Sequence, residues 1–164
     1  MIFASVGSML PFDRFVQAVD DWAATNRQTP VFVQIGNGAY EPRHAEWVRI
    51  MPHDEYSRRL RECTLFVAHV GMGSILQSLE ARKQMLLLPR HKSLGEHTTD
   101  HQLDTVKRFR DTPGLRIAED EVELKRLMGE LLANPLPSGD AIPAKASPQL
   151  IDNIRAYLAP ALPR

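Results

Sequence analysis

The stretch Leu65-Phe66-Val67-Ala68-His69-Val70-Gly71-Met72-Gly73-Ser74-Ile75-Leu76 decides the fold. Its first five residues suit a buried strand, the glycines suit a tight turn, and the last residues begin a helix. That order aims a row of main-chain N–H groups at one point, where the helix dipole also favours negative charge. Gly71 and Gly73 lack the Cβ atoms that would hold an anion away from the backbone. A phosphate is the usual occupant of such a turn. A plain strand-to-helix turn with no ligand is the other reading of this stretch taken alone.

Working outward, short apolar runs alternate with helical patterns. Residues 2–6 read as a strand, and residues 12–25 as a helix with Phe12, Phe15, Val16, Val19 and Trp22 on one face. Pro11 suits an early helical position. A second strand spans 31–35 and ends in Gly36-Asn37-Gly38, which reads as a turn because Pro42 and no helix follow it. A third strand spans 46–51. A polar helix spans 54–62, started by Asp54 and turning Tyr56 and Leu60 inward. After the fourth strand (65–69) come a helix at 75–82 and a continuously apolar strand at 85–88, the pattern of a strand covered on both faces. A helix at 99–110, a strand at 115–118 and a helix at 121–132 complete the body. This succession predicts an α/β chain, a Rossmann-like parallel sheet with helices on both faces and right-handed crossovers. The expected organisation is a domain over 1–133, a Pro/Ala/Ser-rich linker over 134–148, and a C-terminal helix and tail over 149–164. That last helix packs either on the body or on a partner.

Composition narrows the function. The 164 residues suffice for one domain with a real core, and 43% are hydrophobic. Twenty basic and twenty acidic side chains leave a net charge of +0, so a protein that grips nucleic acid electrostatically is disfavoured. There is no apolar run of the roughly 20 residues that a membrane-spanning helix needs. Met1-Ile2-Phe3-Ala4-Ser5-Val6-Gly7 has no basic region and does not read as a signal peptide. Cys63 is the single cysteine; it excludes an internal disulfide, fits a reducing cytoplasm, and is expected at the buried end of a helix.

Ligands of parallel sheets bind outside the carboxyl ends of the strands. The loops expected there are Gly7-Ser8-Met9-Leu10-Pro11, Gly36-Asn37-Gly38, the glycine turn at 69–74, and a long polar loop at 89–102. The last carries Arg90, Lys92, Glu96, His97, Asp100, His101 and Gln102, and loops of that length in compact domains are usually functional. A nicotinamide site is disfavoured, because the first loop lacks G-x-G-x-x-G and Gly36 stands where an acidic ribose ligand would end the second strand. His91, His97 and His101 raise the question of a metal. The four-residue spacing of the last two fits one helical face, yet the pattern fixes no third ligand, so no metal is expected. A serine-hydrolase elbow is not supplied by Gly71-Met72-Gly73-Ser74.

These residues also carry a resemblance. Gly7-Ser8, Pro11-Phe12-Asp13-Arg14, Val33-Gln34-Ile35-Gly36, His69-x-Gly71-x-Gly73-Ser74, Pro89-Arg90 and Gly95-Glu96-His97-x-x-Asp100-His101-Gln102 together resemble the C-terminal, donor-binding domain of glycosyltransferase family 28. The likeness runs from about residue 2 to residue 132. It implies the C-terminal half of a GT-B-type enzyme that binds a UDP-sugar as substrate, without a cofactor. By position, Gly7 and Ser8 would meet the diphosphate, with His69, Gly71, Met72, Gly73 and Ser74 as the second wall. Ile50 and Met51 would read uracil through their main chain. Glu96, Asp100, His101 and Gln102 fall in the donor site, the last three on the sugar hydroxyls. Arg90 and His97 would stabilise the leaving diphosphate.

The family usually places Glu on the ribose where this chain has Gln77. The amide loses the charge-assisted bond, and Ser74-x-x-Gln77 also reads as a capping box. The usual Gly-Lys-Pro before the fifth strand is here Arg82-Lys83-Gln84. In the family the catalytic base and acceptor site lie in the other half. The resemblance therefore implies a hexosyltransferase subunit acting in exopolysaccharide or other lipid-linked sugar synthesis. Its expected partner is a membrane-associated acceptor-binding subunit or a second copy of the chain, at the cytoplasmic membrane face. A non-catalytic nucleotide-sugar-binding module is the competing expectation.

Overall fold

A computed structural model of the chain describes residues 1–99, 101–137 and 147–158. Six strands form one parallel sheet: β1 (Ile2–Ser5), β2 (Val31–Gln34), β3 (Glu46–Val48), β4 (Leu65–His69), β5 (Met85–Leu88) and β6 (Leu115–Ile117). Their order is β3-β2-β1-β4-β5-β6. The chain winds outward from β1 in one direction, then returns to pair β4 on its other side. The switch in direction therefore falls between β1 and β4, in register from Ile2↔Leu65 to Ser5↔Ala68. The crevice at such a switch point is where open α/β sheets place their ligands.

Strand periodicity divides the core into two layers. Ile2 and Ala4, Leu65 and Val67, and Leu86 and Leu88 face helices α1 (Asp13–Thr25) and α5 (Glu121–Ala133). Phe3, Phe66, Ala68, Met85 and Leu87 face the other way, toward α2 (His53–Glu62), α3 (Met72–Glu80) and α4 (His101–Phe109). Every residue of β1, β2 and β5 is buried, as expected of strands covered on both faces. On α1, Phe15, Val16, Val19 and Trp22 form the inward stripe read from the sequence, joined by Ala23, while Phe12 is buried as the residue just before the helix.

Four boundaries differ in ways that matter. The second helix starts at His53 with Pro52 as its cap residue, so Asp54 sits within the first turn and is not the cap. The third strand stops at Val48, leaving Ile50 and Met51 in the loop beyond it. The third helix begins at Met72, three residues earlier than its apolar pattern indicates. Gly71 is its cap residue and no side chain caps it, so Ser74 and Gln77 form no capping box. Gly73 and Ser74 thus supply first-turn amides. The fourth helix starts at His101, preceded by a short 3-10 turn at Lys92–Leu94. Cys63 ends α2, buried, and burial pushes its thiol up to about 11, which leaves it inert as a nucleophile. The last helix, α6 (Pro148–Leu158), buries none of its residues, and Leu150, Ile154 and Tyr157 are exposed. Residues 138–146 of the expected linker and 159–164 of the expected tail lie outside the described residues.

Candidate donor-binding cleft

The β1–α1 loop and the start of α3 meet across the β1/β4 switch point and enclose a cleft of about 560 Å³. Gly7 and Ser8 form one wall. His69, Gly71, Met72, Gly73 and Ser74 form the opposite wall. Ile50, Met51, His53 and Tyr56 close one end, and Gln77, Arg90, His97 and Gln102 also face the space. Not one of the described lining residues is a carboxylate. Asp100 and the His101 side chain lie outside the described residues. Glu96 does not line the cleft: both its oxygens grip Arg14, at 2.7 and 2.9 Å, and one also accepts the His91 N–H. Among the described residues, no three His, Cys, Asp or Glu side chains are grouped to hold a metal.

The His69 imidazole explains two of the glycines. It lies between the walls, 2.6 Å from where a Cβ on Gly7 would stand, and a Cβ on Gly71 would overlap its Nε2. Gly7 also takes φ +78, a conformation side-chain-bearing residues rarely adopt. Gly73 differs, for a Cβ there would meet nothing within 4 Å. The close approach is thus between histidine and glycine at two positions, and the space beside Gly73 stays open. Burial, reinforced by the charge of Arg90, pushes His69 down to about 4, so the ring is neutral at physiological pH. Its Nδ1 is shielded from water and has no hydrogen-bond partner among the described residues. At His97, Nδ1 accepts the Thr99 N–H at 3.2 Å, which places that ring's proton on Nε2.

Beneath the cleft floor a polar network fixes the first loop. Gln34 donates to the carbonyls of Gly7 and Arg49, both at 3.0 Å, and accepts the Ser5 hydroxyl at 2.7 Å. Because a trans peptide sets its C=O and N–H on opposite sides, holding the Gly7 carbonyl on Gln34 turns the Ser8 N–H the other way. Tyr56 packs edge-on against Phe3 at 5.1 Å, and burial raises its phenol above the usual range, against bonds from Ser5 and Ser74. Neither Gln34 nor Tyr56 stood out in the sequence as a site residue. The available signals were a polar residue ending the apolar run Val31-Phe32-Val33 and an aromatic on the inner face of a polar helix.

The β1–α1 loop and the start of α3 therefore border one crevice, with no carboxylate among its described lining residues, at the switch point of a Rossmann-like sheet. This architecture is that of one half of a GT-B-type glycosyltransferase. The family model "Glycosyltransferase family 28 C-terminal domain" matches residues 1–147, and the chain belongs to that family. No curated protein matches it.

Solved structures share the fold at low identity. The glycotransferase of kitacinnamycin superposes with TM-score 0.59 at 20% identity, over 82% of this chain and 35% of that one. Os79 from O. sativa, solved in complex with U2F and trichothecene, gives 0.59 at 16%, over 82% and 32%. ALG13 gives 0.58 at 14%, over 93% of both chains. The chain thus spans about a third of the length of the first two and nearly all of the third. No described helix is long and apolar enough to cross a membrane.

Proposed function

We propose that this chain is the donor-binding half of a hexosyltransferase and that its cleft holds the diphosphate of a UDP-sugar. The observation that carries the reading is the uncapped start of α3 facing the β1–α1 loop across a space with no described carboxylate. The first amides of a helix have no intrahelical acceptor, and a pyrophosphate supplies acceptors where the helix dipole favours them. In this reading Ile50, Met51 and Tyr56 flank the base, Gln77 meets the ribose as a neutral partner, and His97 and Gln102 lie toward the sugar with Asp100 and His101. When an acceptor hydroxyl attacks the anomeric carbon, the bond to the phosphate oxygen breaks and UDP departs with the electron pair. The fixed amides stabilise that growing charge without reorganising.

The proton of the acceptor needs a base, and no described carboxylate faces this cleft. A partner subunit that brings base and acceptor fits that gap. Met9, Ile50 and Met72, apolar and exposed around the mouth, suit a covering protein surface. A membrane-associated partner acting on a lipid-linked acceptor at the cytoplasmic face is the form we favour; a homodimer is the simpler assembly.

The test is thermal unfolding with UDP, UDP-GlcNAc, UDP-glucose, UDP-glucuronate and a dTDP-sugar. A ligand at one hundred times its Kd stabilises by about 2.7 kcal/mol. Gly73→Asp should keep the fold, since its side chain enters open space, and should abolish that gain by placing a carboxylate where the phosphate sits. An undiminished shift in the variant, or no shift with any donor in the wild type, defeats the proposal. Turnover that appears only when a partner is added marks a half-enzyme, whereas binding without turnover under every condition marks a non-catalytic module.

A further inference from the structure

Arg90 follows β5 and is 2% exposed, yet among the described residues its guanidinium donates only to main-chain carbonyls. Nη2 donates to the carbonyls of Val6 (2.8 Å) and Leu10 (2.7 Å). Nη1 donates to those of Pro11 (2.5 Å) and Glu96 (3.2 Å). Three of the four acceptors belong to the single loop joining β1 to α1. The guanidinium also stacks on Phe12, the residue preceding α1, with its carbon 4.6 Å from the ring centre. Its own main-chain N–H is held by Gln102 at 3.0 Å.

A planar fork with fixed N–H directions meets several carbonyls at once, and a lysine ammonium on its flexible stem does not reproduce that geometry. Each carbonyl held in this way fixes the plane of its peptide: those of Val6 and Pro11 set the Gly7 and Phe12 N–H groups, while that of Leu10, whose peptide leads into Pro11 and carries no N–H, fixes the path of the loop. Here Arg90 gathers the carbonyls of Val6, Leu10 and Pro11, while Gln34 gathers that of Gly7.

We propose that Arg90 is the positioning residue of the β1–α1 loop, setting its amides for the phosphates of a nucleoside diphosphate rather than neutralising those phosphates by its own charge. The inference rests on the donor-binding reading above, and it separates two roles that a simple truncation would confuse. A direct charge partner is rescued by lysine. A carbonyl clamp is not.

The experiment compares wild type, Arg90→Lys and Arg90→Met by calorimetric titration with UDP and by NMR titration with uridine, which lacks phosphates. The expected result is a loss of UDP affinity of about tenfold or more in both variants, with uridine affinity unchanged within about twofold. Amide hydrogen exchange in the free variants should quicken in residues 7–12 and stay unchanged in β4 and β5. Wild-type UDP affinity in Arg90→Lys overturns the proposal in favour of direct charge. Equal loss of uridine and UDP, or quickened exchange throughout, overturns it in favour of a general stabilising role.

If neither variant folds, the wild type decides. The clamp requires rigid backbone order parameters, near 0.85, at Ser8, Met9 and Leu10 in the free protein, and values below about 0.6 refute it. Wild type that fails to bind UDP while keeping a rigid loop defeats the donor-binding reading and not the clamp geometry.

Discussion

His69 offers a stringent test, because its position makes a definite claim about pH. Its folded-state value of about 4 lies below the ordinary 6.5 for histidine. Above 6.5 the ring is neutral in both folded and unfolded chains, so folding is unaffected by pH there. Below 6.5 the unfolded chain takes up a proton that the folded chain refuses, and stability falls as pH drops toward 4. The full difference is worth on the order of 3 kcal/mol at 1.36 kcal/mol per pH unit. About 2 kcal/mol of it is lost between roughly pH 7.5 and roughly pH 5, before most carboxylates titrate.

The assay is urea unfolding at a series of pH values for wild type and His69→Asn, whose difference isolates this ring from the other histidines. The wild type should lose about 2 kcal/mol more than the variant over that interval. The His69 Cε1–H resonance reads the same quantity directly and stands even if the variant folds poorly. A titration midpoint near 6.5, or equal pH profiles in the two proteins, would refute the sandwich of His69 between Gly7 and Gly71.

Two further substitutions probe local geometry. Gly71→Ala has an acceptable backbone conformation, so its cost comes from the overlap with His69, about 1–3 kcal/mol by urea unfolding. Adding His69→Ala should recover most of that cost in a double-mutant cycle, and strictly additive effects would exclude the contact. Arg82 holds φ 53 just past the end of α3, in a turn closed by Lys83 N–H to the Ser78 carbonyl at 2.9 Å. Arg82→Gly should therefore raise stability by up to about 1 kcal/mol by releasing the left-handed strain; no gain in chemical denaturation would show that the strain is offset elsewhere.

The sheet was legible because its central strands are apolar and buried on both faces, and because strands and helices follow one another at βαβ spacing. The position of the crevice followed from topology, since Gly7 lies just beyond β1 and His69 ends β4, the two strands that flank the switch point. What the sequence hid is the start of α3. Glycine is a poor helix former, so Gly73 reads as turn, but in the first helical turn its low propensity matters little against packing by Ile75 and Leu79, both buried in the core. The Ser74–Gln77 pair fits a capping motif by spacing alone, and only the observed start at Met72 shows it to be out of phase. The contacts of Glu96 and Arg90, both of which the sequence marked as candidates, were hidden for another reason. Their partners are Arg14 and the 6–11 carbonyls, some 80 positions away in the chain, and spacing carries no information about such encounters.

A crevice lined by peptide groups has an uncommon relation to mutation. In the proposed donor site the main-chain N–H groups of Ser8, Met72 and Gly73 are present for any residue except proline, so neutral substitutions there can recolour the walls without erasing the donors. The vulnerable positions are the ones that set backbone direction from behind, Gly7, Gln34 and Arg90. Sequence drift can therefore leave the recognising surface whole while the visible text around it changes almost completely.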